Sequence, residues 1–123
     1  MNPKSLMVLH QAPEQLDRFI SLGATYDLVL LHEATDALSF LKRIPVDVIL
    51  LRDGLSGMDA MEFLMNLQDL HLPTCTIVLY QEPFPIDFPE MRNVYFLREP
   101  VSSYELNRLI SQLGSGTQAQ KTH

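Results

Sequence analysis

The fold of this chain can be recognised from residues 46–60, which have the sequence Val46-Asp47-Val48-Ile49-Leu50-Leu51-Arg52-Asp53-Gly54-Leu55-Ser56-Gly57-Met58-Asp59-Ala60. An apolar run of four residues follows Asp47 and ends at a charged pair and a glycine. Such a run is typical of a strand that is covered on both faces. In α/β proteins the binding site lies where the carboxyl ends of the strands open into loops. We therefore predict a functional site directly after Leu51.

The rest of the chain alternates between strand and helix signals. Beside the strand at 48–51, further strands are predicted at 5–9, 27–31, 76–80 and 94–97. Helices are predicted at 13–23, 34–43 and 58–70, and after Ser102, where Glu105 completes a capping box. Gly114 is expected to end the last helix. In the helix at 58–70, the residues expected to face inward or to flank the core are Met61, Phe63, Leu64, Met65 and Leu67.

A proline-rich segment separates the strand at 76–80 from the strand at 94–97. It contains Pro83, Pro85 and Pro89. Proline removes a backbone N–H and costs about 3 kcal/mol or more inside a helix. A fourth helix in this segment is therefore expected to be at most a turn or two long.

Five strands that alternate with helices predict an α/β domain. The expected sheet is flavodoxin-like, doubly wound and parallel, in the order 2-1-3-4-5. The domain is expected to occupy residues 1–113. Residues 114–123 are mostly small and polar without an apolar period, which indicates a flexible linker or tail.

The composition limits the possible classes of function. The chain has 123 residues and a formal net charge of −6, so it offers no basic surface for direct nucleic-acid binding or for an anionic membrane. Cys75 is the single cysteine, which excludes an internal disulfide. The start lacks the pattern of a signal peptide, and no apolar run approaches the roughly 20 residues of a membrane span. We expect a soluble, cytoplasmic domain.

Residues 47–60 resemble the phosphoacceptor segment of receiver domains, the CheY-like domains of bacterial two-component response regulators. That segment has an acidic residue, four apolar residues, the phosphorylated aspartate, and then Met-Pro and Asp-Gly. Arg52 holds the place of the aspartate, which puts four later residues where the family has Met, Pro, Asp and Gly: Leu55, Ser56, Asp59 and Ala60. If Asp53 were the acceptor, none of these positions would match, and its side chain would face the opposite side of the strand end.

The resemblance extends over residues 5–113 and implies that the other chemical positions of the family differ as well. Receivers hold Mg²⁺ with two acidic residues after the first strand, where this chain has His10 and Gln11. The Thr or Ser that ends the fourth strand in the family is Tyr80, and the Lys before the conserved proline of the fifth strand is Glu99. Arg52 cannot act as a nucleophile because its guanidinium stays protonated. The chain therefore resembles a degenerate receiver, a pseudo-receiver, and is expected to be no enzyme and to need no cofactor.

Two simpler interpretations apply to the remaining polar groups. His10, His32, His71 and His123 lie on separate predicted elements, so no metal site is expected. Tyr80 is interpreted as an aromatic plug over the former acidic pocket, with a stacking shelf for a flat ligand as the alternative.

Three functions are compatible with these residues. The first is a phosphorylation-independent protein-interaction module, as the N-terminal regulatory domain of a longer signalling or transcription-regulatory protein or as a separate adaptor. The second is a sensor that binds a small molecule in the former acidic pocket. The third is an active receiver that uses Asp53, and the missing acidic pair argues against it. The fold alone does not decide between them.

The family resemblance implies an interaction surface on the face formed by helix four, strand five and helix five, used for a protein partner or for self-association. Phe84, Ile86 and Phe88 of the proline-rich segment fall on this face, and Tyr95 and Tyr104 are further candidates. Exposed apolar groups of this kind mark interaction sites. The alternative is that the three residues of the proline-rich segment cover the edge of the sheet.

Arg52 and Glu99 have charges opposite to those of the family at the same two places. We predict that they form an ion pair that joins strand three to strand five. An arginine can meet a carboxylate through two parallel hydrogen bonds, which suits a partly buried site. The alternative is that Arg52 points into solvent and contacts Asp53 or Asp59.

Overall fold

The computed structural model describes residues 4–9, 25–52, 59–81 and 91–113. Within these ranges the chain forms five strands and three helices. The strands are β1 (Ser5–Leu9), β2 (Asp27–Leu31), β3 (Val48–Arg52), β4 (Cys75–Tyr80) and β5 (Val94–Arg98). The helices are α1 (Ala34–Arg43), α2 (Ala60–Asp69) and α3 (Ser103–Gln112).

The strands form one parallel sheet in the order β2-β1-β3-β4-β5, which confirms the predicted order. The central strand β3 pairs with β1 on one side and with β4 on the other. In the register, Arg52 is opposite Leu79, and Tyr80 is opposite Arg98. The carboxyl ends of β3, β4 and β5 therefore meet at one edge of the sheet.

Side chains alternate along each strand, so apolar side chains lie on both faces of the sheet. Helices cover both of these faces. One face packs against α3, through Leu106 and Ile110. The other face packs against α1 and α2, where Phe63 is the largest fully buried side chain. The strand residues of the α3 face are Leu6, Val8, Val48, Leu50, Cys75, Ile77 and Leu79, and those of the opposite face are Met7, Leu9, Ile49, Leu51 and Val78.

The helix starts follow from local capping. Ser102 accepts a hydrogen bond from the Glu105 N–H, and Glu105 bonds back to the Ser102 backbone, so the predicted capping box is confirmed. Asp59 caps α2 through the Glu62 N–H and has an extended backbone, so the helix begins at Ala60.

Several sequence-based bounds were wrong by one or two residues. Helix α2 was expected at 58–70, but the cap at Asp59 sets its start and it ends at Asp69. Strand β4 begins one residue earlier than predicted, and β3 and β5 each end one residue later. Met65 was expected inside or on the flank of α2, but it is 54% exposed because it lies on the helix side that faces away from the sheet.

Some predictions lie outside the described residues. These are the helix at 13–23, the proline-rich segment with Phe84, Ile86 and Phe88, and the tail at 114–123. Among the residues that the structure does describe, no helix is long and apolar enough to cross a membrane.

Candidate functional site

The candidate site lies at the carboxyl ends of β3 and β5. Arg52 is the last residue of β3, and Glu99 directly follows β5. Strand β4 separates the two residues, so a contact between their side chains has to pass over it. Leu79 of β4 lies in register with both Arg52 and Leu97.

Both side chains belong to the α3 face of the sheet. Leu79 and Leu97 pack into the core on that face, and Arg52 lies in the same row. Glu99 is two residues beyond Leu97, and the period of two along a strand returns it to the same side. The pleat of the sheet thus directs the two opposite charges to one place.

Arg52 and Glu99 form the predicted ion pair. Nε of Arg52 donates to Oε1 of Glu99 at 2.8 Å, and Nη2 lies 2.8 Å from the same oxygen. The Glu99 side chain is 5% exposed and the Arg52 side chain is 27% exposed. Both nitrogens converge on one carboxylate oxygen, in place of the two parallel bonds that an arginine can make with the two oxygens of a carboxylate. The pair is a charge-assisted contact whose acidic member is nearly removed from water.

The backbone at Glu99 fixes the acidic member. The Glu99 N–H donates to the carbonyl of Tyr80 at 2.7 Å, which extends the β4–β5 ladder beyond Arg98. The following Glu99–Pro100 peptide bond is cis. Ser102, the cap of α3, follows two residues later. The ion pair is therefore close in sequence to the start of the last helix.

The ring of Tyr80 lies against Phe96 of the neighbouring strand. The two ring centroids are 6.4 Å apart with planes at 68°, an edge-to-face arrangement. Phe96 packs against the core of the α1 and α2 face. The two interpretations of Tyr80, as a plug or as a ligand shelf, stay predictions, because His10 and Gln11 lie outside the described residues.

Solved structures similar to this chain are receiver domains of signalling proteins. The signal receiver domain of an HD domain-containing protein from Pseudomonas fluorescens is 26% identical, with a TM-score of 0.73 over 91% of this chain and 94% of that chain. Full-length FixJ from B. japonicum is 17% identical, with a TM-score of 0.80 over 91% of this chain and 58% of that chain. The receiver domain of a sensor histidine kinase from Pseudomonas aeruginosa, with magnesium in its active-site cleft, is 17% identical, with a TM-score of 0.76 over 93% and 99% of the two chains.

This chain has the receiver fold. The similarity covers nearly the whole chain, and the strand order agrees with it. No protein-family model matches the sequence. No curated protein matches it either.

The described part of the receiver site does not fit magnesium. That ion needs carboxylate or other oxygen ligands. The carboxyl end of β3 carries the guanidinium of Arg52, and the carboxylate of Glu99 already accepts two bonds from it. Across the described ranges no group of three or more His, Cys, Asp or Glu side chains is arranged to hold a metal.

A separate cleft of about 240 Å³ lies beside the amino ends of β4 and β5, at the other end of the strands from Arg52 and Glu99. It is far from the strand ends that carry Arg52 and Glu99. Its lining residues are Leu67, Gln68, His71, Leu72, Pro73, Thr74, Arg92 and Asn93.

Two of the residues predicted for the interaction surface, Tyr95 and Tyr104, lie within the described part of the chain. Tyr104, in the first turn of α3, is 73% exposed, and Tyr95 of the edge strand β5 is 40% exposed. Burial of part of the Tyr95 side chain raises the pKa of its phenol. Two tyrosines with this exposure offer amphipathic contact area next to the last helix.

Three long-range contacts were missed by the sequence reasoning. The Ser5 N–H donates to Oδ2 of Asp47 at 2.8 Å, and the Asp47 N–H donates back to Oγ of Ser5 at 2.8 Å. The hydroxyl of Tyr26 donates to the side chain of Asn107. Lys4 contacts the end of α3. The one sequence signal for any of these contacts was Asp47, the acidic residue before the apolar run at 48–51. The sequence did not show that its partner is Ser5.

Proposed function

We propose that this chain is a pseudo-receiver, a signalling module that works through protein contacts and independently of phosphorylation. It is cytoplasmic and bacterial, has no enzymatic activity, and serves as the N-terminal regulatory domain of a longer signalling or transcription-regulatory protein. Support comes from the receiver fold and from the structure of full-length FixJ, in which a receiver-like part is joined to further chain. The formal net charge of −6 argues against direct binding of nucleic acid by this segment.

The observation that carries the proposal is the ion pair between Arg52 and Glu99. Phosphoryl transfer to a receiver needs a carboxylate nucleophile and cations that neutralise the developing charge. This chain has a cation at the place of the nucleophile and a carboxylate at the place of the cation. The contact also holds the two charges against each other, through Nε and Nη2 of Arg52 and Oε1 of Glu99.

The proposal predicts that the domain does not accept a phosphoryl group. We expect incubation with acetyl phosphate, or with beryllofluoride, and Mg²⁺ to give no increase in mass and no change in the NMR signals of Arg52 and Tyr80. A receiver that carries the family aspartate and acidic pair serves as the positive control. A stoichiometric phosphorylated species at Asp53 would contradict the proposal.

The proposed partner surface gives a second prediction. Tyr104→Ser is expected to weaken self-association or partner binding and to change the free energy of unfolding by less than about 0.5 kcal/mol, because the ring is mostly in water. Sedimentation equilibrium over a range of concentrations and a chemical denaturation curve measure the two effects. Thr35→Ala, at an exposed position of α1, is the matched control. A large loss of stability would show that Tyr104 is part of the packed structure.

The alternative function is a small-molecule sensor that uses the former acidic pocket. It would require a ligand to bind near Arg52 and Tyr80. A thermal-shift screen of metabolites, nucleotides and quinones discriminates between the two functions, because binding to the folded state raises the melting temperature.

A further inference from the structure

Among the described residues, Leu113 closes the carboxyl end of α3. Its N–H bonds back to the carbonyls of Leu109 and Ile110, each at 3.2 Å, and its extended backbone (φ −96°, ψ 161°) ends the helical path. The last turn of α3, which is fully described, contains no basic residue. The final carbonyl groups of a helix need partners from elsewhere, and they attract positive charge.

Lys4 supplies both the partner and the charge. Its ammonium group donates to three carbonyl oxygens, those of Ile110 at 3.2 Å, Ser111 at 2.8 Å and Leu113 at 2.6 Å. An ammonium has three hydrogens, so three acceptors satisfy it. A residue from the beginning of the chain thus caps a helix that begins almost a hundred residues later.

The position of Lys4 is fixed by the sheet. Its carbonyl accepts a bond from the Asp27 N–H at 2.8 Å, which ties it to β2. The next residue, Ser5, exchanges bonds with Asp47 beside β3. Burial lowers the pKa of the Lys4 ammonium because the charge leaves water, and the nearby Asp47 carboxylate acts in the opposite direction.

A second contact ties the middle of α3 to the sheet. The hydroxyl of the buried Tyr26, just before β2, donates to the side chain of Asn107 and lies 3.2 Å from the Asn107 carbonyl. Leu106 and Ile110 are buried against the same face. The middle of the helix is therefore held without Lys4, and the contribution of Lys4 is confined to the last turn.

We propose that Lys4 is a latch that fixes the carboxyl end of α3 to the sheet. The latch couples the last turn of α3 to the start of β1, since Lys4 directly precedes Ser5. The assignment rests on the hydrogen bonds of Lys4 and is independent of whether the domain accepts phosphate.

The latch is tested by hydrogen exchange on the complete chain. Lys4→Met keeps an unbranched side chain and removes the charge and the donors. Hydrogen bonds to a charged group contribute about 1.5–3 kcal/mol, so the amides of residues 110–113 are expected to exchange at least about tenfold faster. The amides of α1 and α2 should change by less than about twofold, because opening of one helix end is local. Lys4→Arg, which keeps the charge, is expected to retain most of the protection.

Lys42→Met is the control, because Lys42 lies exposed in the last turn of α1. It should leave exchange at residues 110–113 unchanged. The proposal is overturned if Lys4→Met leaves these amides as in the parent, or if exchange rises equally in all three helices, which would mean a general loss of stability.

A second measurement uses the unaltered chain and decides the matter if Lys4→Met does not fold. Treatment with N-hydroxysuccinimidyl acetate acetylates exposed amines. Molecules acetylated at Lys4 should show exchange at residues 110–113 at least about tenfold faster than unmodified molecules, because the modified nitrogen has lost its charge and two of its three hydrogens. Molecules acetylated at Lys42 alone should exchange there at the rate of the unmodified chain. The latch is overturned if acetylation of Lys4 leaves exchange at residues 110–113 unchanged.

Discussion

Arg52→Ala is expected to lower the free energy of unfolding by about 2–4 kcal/mol, because it leaves the nearly buried carboxylate of Glu99 without its cation. Glu99→Ala should cost less, about 1–2 kcal/mol, since the Arg52 side chain is 27% exposed and can turn toward water. The difference in the free energy of unfolding between the two single variants shows which member of the pair is removed from solvent.

A double-mutant cycle measures the pair itself. The variant with both replacements should be more stable than the sum of the single effects predicts, with a coupling energy of about 1–3 kcal/mol. Urea denaturation gives the four free energies, provided the m-values agree. Arg108→Ala, at an exposed position of α3, is the control and should change stability by less than about 0.5 kcal/mol. A coupling energy near zero would remove the ion pair as a stabilising contact.

Arg52→Asp is expected to have the larger effect, about 3–5 kcal/mol near neutral pH, because it places a second carboxylate beside Glu99. Two neighbouring carboxylates raise the pKa of one of them in the folded state. A raised folded pKa means that the folded state binds more protons than the unfolded state, so stability falls as pH rises. The difference in the free energy of unfolding between Arg52→Asp and the parent should therefore increase from about pH 4, the ordinary pKa of glutamate, toward neutral pH.

Combining Arg52→Asp with Glu99→Lys tests whether charge complementarity explains this effect. The double variant restores opposite charges across β4 in the order that receivers have, and it should be more stable than Arg52→Asp alone. Under the proposed function, in which His10 and Gln11 replace the metal-binding acids of the family, it should still fail to gain a phosphoryl group from acetyl phosphate. A phosphorylated double variant would show that the acidic pair of the family is not needed in this chain. A difference in unfolding free energy between Arg52→Asp and the parent that does not depend on pH would contradict the proposed repulsion.

The sheet could be predicted because its signals are local. Each strand is a short apolar run, and each helix is bounded by a cap or a break that the sequence shows, such as Ser102 with Glu105. One error concerned the start of α2, which lies at Ala60 because the Asp59 side chain caps the helix there. Another concerned Met65, which was expected near the core because an apolar side chain does not by itself show which side of a helix it occupies.

The ion pair could be predicted because parallel strands bring their carboxyl ends to one edge. Two opposite charges at the ends of β3 and β5 were therefore near each other before any side chain was placed. The meeting of both nitrogens with one oxygen could not be predicted, since it depends on how far Arg52 reaches over Leu79. The contact of Lys4 with α3 had no local signal at all, because a lysine next to a strand usually lies in solvent.

The covering of one sheet face by α3 has a consequence for synthesis on the ribosome. All five strands precede this helix in the chain, so the sheet can assemble while Leu106 and Ile110 are still unmade. Until they arrive, the part of the face that contains Leu50 and Ile77 lacks the helix that covers it. A nascent domain at this stage presents apolar surface of the kind that recruits chaperones or leads to aggregation.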